Sequence, residues 1–169
     1  KAVDKGYDRA IRHLTALLKK HKELNLNKKD LAQYYKKAAD KGDDYSMFQY
    51  AEFLFNEDAT ESSKKEAIKY YKMAASKGNI DAMHRYGSQL ITGNYIKKNE
   101  KEGAKYIRNA ANKKHVEANF DYGHLLNNGI GVQKNTNEAL KYYKNAADNG
   151  FVKGMFYYAH TLQNEIKGA

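Results

Sequence analysis

With 169 residues, 41% of them hydrophobic, the chain is long enough to bury the core of one ordinary domain. Its 30 Lys and Arg against 20 Asp and Glu leave a formal charge of +10, a balance that attracts acidic proteins, nucleic acid or anionic surfaces. It has no Cys, which excludes disulfides, zinc–thiolate sites and thiol nucleophiles, no Pro to interrupt helices, and no run near the roughly 18–20 apolar residues of a membrane span.

The first six residues, ending Ala2-Val3-Asp4-Lys5-Gly6, repeat the close of a unit whose start is missing, and the same close returns every 36 residues. Gly42, Gly78, Lys114 and Gly150 occupy the place of Gly6, each preceded by a small pair: Ala38-Ala39, Ala74-Ala75, Ala110-Ala111 and Ala146-Ala147. A period of this size marks a solenoid whose units bury their apolar faces by stacking on one another. The chain therefore reads as one repeat domain over residues 1–169: the end of a preceding repeat (1–6), repeats 7–42, 43–78, 79–114 and 115–150, and a leading helix at 151–169. Opening on Lys1 inside a unit implies a piece of a longer array. Missing cysteines and the lack of any Asn-x-Ser/Thr sequon tilt the expected location toward the cytoplasm rather than a secretory lumen.

Repeat 7–42 is the most degenerate. Leu14, Thr15 and Leu18 stand in for the first-helix pattern, Leu24 anchors the loop, and Leu31, Ala32, Tyr34, Tyr35, Ala38 and Ala39 keep the second helix. In repeat 43–78 the spacing of Met47, Tyr50, Ala51 and Leu54 predicts a helix with one buried face. Asn56-Glu57-Asp58-Ala59-Thr60 predicts a loop without glycine, and Ala67, Ile68, Tyr70, Tyr71, Ala74 and Ala75 a second helix. Repeat 79–114 has Met83, Tyr86, Gly87 and Leu90, the loop Thr92-Gly93-Asn94-Tyr95-Ile96, then Ala104, Tyr106, Ile107, Ala110 and Ala111. Repeat 115–150 has Tyr122, Gly123 and Leu126, the loop Asn128-Gly129-Ile130-Gly131-Val132 with Ile130 and Val132 tucked inward, then Ala139, Leu140, Tyr142, Tyr143, Ala146 and Ala147. Met155, Tyr158, Ala159 and Leu162 continue the stripe in the leading helix. Gly87 and Gly123 sit mid-helix, where glycine costs about 1 kcal/mol against alanine, so close helix approach is the expected compensation. Glycine after each second helix suits a left-handed helix end. At Lys114 the turn is expected either to carry about 1 kcal/mol of strain or to be differently shaped.

The order Ala-x-x-x-Tyr-Gly-x-Leu-Leu-x-x-Gly-x-Gly-Val, then Glu-Ala-x-x-Tyr-Tyr-x-x-Ala-Ala-x-x-Gly, from Ala118 to Gly150, resembles the Sel-1-like repeat, a tetratricopeptide-like unit. The resemblance implies an all-α, right-handed α/α superhelix of antiparallel helix pairs. First helices would line its concave side and second helices its convex side, and the array would act as an adaptor that holds protein partners together. Some cysteine-rich relatives of this repeat are linked to β-lactam binding; with no cysteine, this chain gives no ground to carry that over.

No catalytic, metal or cofactor motif stands out: there is no His-Glu-x-x-His, calcium loop, phosphate-binding Gly-x-x-x-x-Gly-Lys or Gly-x-Ser-x-Gly, so neither an enzyme nor a cofactor is expected. Of His13, His21, His84, His115, His124 and His160, only His124 and His160 share a register, and both read as solvated. Acidic groups at Asp40, Asp43 and Asp44, and at Glu57, Asp58 and Glu61, read as charges at helix starts. Two surfaces remain. On the first helices, the third, sixth, seventh, tenth, thirteenth and fourteenth positions share a face. Of these, Phe48, Gln49, Glu52, Arg85, Ser88, Asp121, His124, Asn128, Tyr157, His160 and Asn164 are the candidate residues for a peptide or protein partner, since amides can pair with its backbone while rings cover its side chains. The other reading is that Phe48, Phe120 and Phe156 pack locally and the polar residues are merely solvated. On the second helices Lys69, Lys105 and Lys141, with Lys36, Lys72, Arg108 and Lys144 a turn later, form a basic ridge. It could bind nucleic acid or an anionic surface, or serve as a soluble coat. Open array ends would also permit self-association.

Overall fold

The computed structural model describes residues 28–168. The frame 1–6, the first helix expected in 7–42 with Leu14, Thr15 and Leu18, the anchor Leu24, and His13 and His21 lie outside the described residues. Eight α-helices occur among those described: α1 (Lys28–Asp40), α2 (Asp44–Phe53), α3 (Glu61–Ser76), α4 (Ile80–Thr92), α5 (Glu100–Asn112), α6 (Val116–Asn128), α7 (Thr136–Asp148) and α8 (Val152–Gly168). The fold is all-α, built of helix pairs on the expected period. The described residues fall into two compact units divided at a repeat boundary, between Asn79 and Ile80.

Short polar side chains start the helices. Asp43 accepts the amide of Ser46 at 2.9 Å before α2, Thr60 that of Ser63 at 3.1 Å before α3, and Asn99 and Asn135 those of Glu102 and Glu138 at 3.1 and 3.0 Å before α5 and α7. Each such cap satisfies an amide that has no partner inside the helix, worth about 1 kcal/mol. The acidic residues expected at helix starts thus include one true cap, Asp43.

Helix ends explain the 36-residue return. At Gly42, Gly78 and Gly150 the backbone turns left-handed, with φ of +96, +99 and +81°. In each turn two amides return to the alanine pair, as with Gly150 to Ala147 at 2.9 Å and Phe151 to Ala146 at 3.0 Å. Lys114 makes the same turn, with φ +67°, its amide on Ala111 at 2.9 Å and that of His115 on Ala110 at 3.2 Å. The alternative of a differently shaped turn is therefore set aside, and the lysine adopts the left-handed conformation that penalises a side chain. Lys114→Gly is expected to raise stability by about 1 kcal/mol or less, the side-chain penalty being partly offset by the greater freedom of unfolded glycine. A chemical denaturation midpoint that stays put or falls would show the turn unstrained.

In the first unit, α2 and α3 pair with Met47, Ala51 and Leu54 buried against Ala67, Ile68, Tyr71, Ala74 and Ala75, and α1 adds Ala32, Tyr35, Ala38 and Ala39. The segment expected as a loop from Asn56 is in part helical: Leu54–Asp58 form a π-helical turn, closed by the Ala59 amide on the Leu54 carbonyl at 3.2 Å. Lacking a glycine, this connection places Ala59 itself in the left-handed region, φ +55°.

In the second unit one core joins α5, α6 and α7 through Ala104, Ile107, Ala110, Ala118, Tyr122, Leu125, Leu126, Ala139 and Tyr143, with Ile130 and Val132 packed against it as expected. A tyrosine pair recurs between the helices of successive repeats: Tyr50 with Tyr70, Tyr86 with Tyr106 and Tyr122 with Tyr142, edge-to-face at 4.9, 4.9 and 4.7 Å. Such pairs contribute about 1 kcal/mol beyond their burial. Gly87 and Gly123 do mark close approaches. A Cβ on Gly87 would stand 2.9 Å from the Gly103 carbonyl oxygen, and one on Gly123 2.9 Å from the Tyr143 ring. The stripe of α8 departs from expectation: Met155 and Leu162 are 47% and 38% exposed, and Gly154 and Thr161 are buried instead. In the other repeats a second helix covers that stripe, and no helix follows α8 among the described residues.

Candidate functional site

Helical spacing of four residues stacks three side chains along one face of each first helix. On α6 these are Phe120, His124 and Asn128. The Phe120 and His124 rings stack at 6.4 Å and 27°, and the Asn128 amide nitrogen bonds the His124 carbonyl at 2.8 Å with the imidazole 3.4 Å away. On α8 the triplet recurs as Phe156, His160 and Asn164, with rings stacked at 5.9 Å and 14° and the amide 3.5 Å from the imidazole. Tyr157 joins the two helices, its ring 5.2 Å from Phe120, 6.0 Å from His124 and 5.6 Å from Phe156. Phe120 is half-buried against Tyr143 and Phe151, whereas Phe156 is 64% exposed. Local packing thus describes Phe120 and not Phe156.

The candidate residues His124, Asn128, Tyr157, His160 and Asn164 are therefore brought together in the second unit. Asp121 lies one position from Phe120, but its carboxylate accepts the His84 Nε2–H at 2.6 Å, so α4 and α6 are clasped by a hydrogen bond where α6 and α8 are joined by rings. Ser88 turns its hydroxyl to the His84 carbonyl at 2.9 Å, and Arg85 is exposed on α4. In the first unit Phe48 and Glu52 are half-buried around Tyr71, whose hydroxyl donates to Glu52 at 2.6 Å. Gln49 and Glu52 also border a shallow recess of about 230 Å³ with Tyr35, Phe53 and Asn56.

His124 and His160, which share a register, stack on Phe120 and Phe156, whereas two histidines that register did not link stack on each other. His84 and His115 stack at 4.7 Å with each imidazole only 13% exposed, between Asp121 on one side and Asp81 and Glu117 on the other. The missed signal was the 37-residue step from His84 to Asp121, one repeat plus one position, which is also the step from Phe120 to Tyr157. No set of three acid, histidine or cysteine side chains among the described residues is arranged to hold a metal ion.

On the second helices Lys69, Lys105 and Lys141 are exposed and carry no ion pair among the described residues. Lys36 and Lys144 instead pair with Asp40 and Asp148 one turn on, at 2.9 and 2.7 Å, and the hydrogen bond to each carboxylate raises their pKa above the ordinary lysine value. An open cleft of about 820 Å³ runs beside α7, bordered by Asn112, Lys114, Asn135, Lys141, Asn145 and Asn149. No described helix is long and apolar enough to cross a membrane.

The Sel1 repeat pattern matches residues 32–43, 44–79, 80–115 and 116–151, the same period set one residue later. Among solved structures, the chain is similar to a protective antigen of uropathogenic Escherichia coli displaying an SLR fold. That match has 24% identity over 96% of this chain and 35% of that one, with a TM-score of 0.85. A Sel1 repeat protein from Oxalobacter formigenes matches at 23% identity over 89% of this chain and 62% of that one, TM-score 0.78. Cysteine rich protein B of Helicobacter pylori matches at 22% over 75% of this chain and 91% of that one, TM-score 0.60. The chain thus spans less than two thirds of the first two, and at these identities the likeness is one of fold. No curated protein matches the sequence.

Proposed function

Because the chain belongs to the Sel1 repeat family, we propose that it is a non-catalytic scaffold that binds an extended segment of a partner protein along the face of its first helices. The observation that carries this reading is the repeated phenylalanine–histidine–asparagine ladder of α6 and α8, with Phe156 largely exposed at its edge. Rings held by stacking lose little freedom on binding, and an exposed aromatic beside amides is the composition of binding hot spots. Asn128 and Asn164 keep donors and acceptors near the rings, which suits a peptide backbone.

The test is a peptide array probed with the protein and with the triple variant His124→Ala, Asn128→Ala, Tyr157→Ala. Loss of a central aromatic anchor is expected to weaken captured peptides at least tenfold, the equivalent of about 1.4 kcal/mol. Undiminished capture by a folded variant would remove this face from consideration.

A second reading rests on lysines of the second helices that are exposed and carry no ion pair among the described residues, Lys69 in the first unit and Lys105 and Lys141 in the second, as contacts for nucleic acid or another polyanion. Salt separates the two. Binding through the lysines weakens steeply as salt rises and is lost on neutralising all three, whereas the aromatic face holds its peptide across the same range.

A further inference from the structure

His115 is the N-cap of α6, and it caps with its ring. Its Nδ1 accepts the Ala118 amide at 3.1 Å, which requires an unprotonated Nδ1. The remaining ring proton is then on Nε2, 3.2 Å from the Asp81 carboxylate of α4. The neutral imidazole is thus satisfied at both nitrogens. The backbone around it is separately held by Asn119, whose amide nitrogen bonds the His115 carbonyl at 2.8 Å and that of Ala111 at 3.3 Å.

A second proton can go only to Nδ1. There it takes the lone pair from the cap, leaves the Ala118 amide without its acceptor and sets a positive charge at the end of α6 where the helix dipole is also positive. The charged groups facing the ring are Asp81 and His84 from α4, and Glu117 from α6 with Oε2 3.5 Å from Nδ1; Asp121 stands behind His84. Protonation therefore exchanges a helix cap for ion pairs with Glu117 beside Nδ1 and with Asp81 at Nε2.

We propose that His115 is a proton-operated latch on the second unit: neutral, it caps α6 through Nδ1; protonated, it gives up that cap and loosens the start of α6, while Nε2 stays on Asp81 of α4. Burial of the ring, and then the neighbouring His84, hold its pKa below the ordinary histidine value, against the opposing pull of Glu117 and Asp81. A base depressed in the folded state takes up its proton less readily than in the unfolded chain. Its stabilisation is thus complete above the unfolded pKa of about 6.5 and is lost as pH falls through the lower folded value.

The experiment follows the ring and the amide directly. In isotope-labelled protein, His115 is expected to show an unprotonated Nδ1 at neutral pH and to titrate below about pH 6.5, with Ala118 amide exchange, corrected for its intrinsic rate, quickening through the same midpoint. His115→Asn, which caps without titrating, is expected to keep Ala118 protected and to lessen the fall in denaturation midpoint between about pH 8 and about pH 5. An Nδ1–H tautomer at neutral pH, an Ala118 exchange indifferent to the titration, or an asparagine variant with the full acid loss of the native protein would each overturn the latch. Should the variant fail to fold, the two measurements on the native chain decide alone.

Discussion

Gly87→Ala is expected to destabilise the protein by about 2 kcal/mol, although alanine in an open helix would gain about 1 kcal/mol over glycine. The added methyl would stand 2.8 Å from Ile107 Cγ1, 2.9 Å from the Gly103 carbonyl oxygen and 3.1 Å from the Ile107 amide nitrogen. Two of those three are backbone, which no rotamer change can move. The approach is mutual: a Cβ on Gly103 would meet the Gly87 carbonyl oxygen at 2.8 Å. Relief requires α4 and α5 to separate, stripping contacts from the Tyr86–Tyr106 pair and from buried Leu90 and Ala104. Gly123→Ala is expected to cost less, because its two shortest contacts are to the side chain of Tyr143. Urea denaturation of both variants checks the order, and a Gly87→Ala midpoint above the native one would show that the helices are not in backbone contact.

Tyr143→Phe and Tyr71→Phe are expected to change stability in opposite directions. Both tyrosines occupy the same position of a second helix and are almost wholly buried. Tyr71 donates its hydroxyl to the Glu52 carboxylate at 2.6 Å, and losing a bond to a charged acceptor costs about 1–2 kcal/mol. Where repeat 43–78 has Glu52, repeat 115–150 has His124, committed to Phe120, Tyr157 and Asn128. The Tyr143 hydroxyl is left buried without a partner among the described residues. Burial first, then the neighbouring Tyr157, pushes its pKa up to about 12. Removing that oxygen relieves a desolvated polar group, so Tyr143→Phe is expected to gain about 1 kcal/mol. Calorimetry of the two variants decides, and a loss in both would mean that the Tyr143 hydroxyl finds an acceptor in solution.

Much of the fold was legible from spacing because each unit states its rules several times. Tyr-small-Leu and Tyr-Tyr-x-x-Ala-Ala mark buried faces, and a glycine in the register of Gly42, Gly78 and Gly150 marks each left-handed end. Such rules are local: they depend on helical period and on the cost of a side chain at positive φ. Two exceptions were also local in origin. Lys114 keeps the turn because its hydrogen bonds outweigh the penalty, and the connection at Leu54–Asp58 becomes a π turn where Ala59 replaces glycine.

The surfaces were legible only as columns. Periodicity placed Phe120, His124 and Asn128 on one face of a helix, and Phe156, His160 and Asn164 on one face of another. It did not say that Tyr157 would join them or that Phe156 would stay exposed. His84 and His115 share no register, so periodicity does not link them. The reason is that a column is a property of one helix, whereas a contact depends on the shift between neighbouring helices, here one repeat plus one position.

The sequence by itself determined the all-α class, the 36-residue unit, the helix ends and the buried faces, since each follows from intrahelical spacing repeated several times. Tertiary structure alone decided which polar groups find partners. Asp121 takes His84, Glu52 takes Tyr71, Tyr143 finds no partner among the described residues, and His115 holds the start of α6 with a ring nitrogen. Hydrogen bonds are short-ranged and directional, so an offset of one residue between packed helices is enough to make or withhold them.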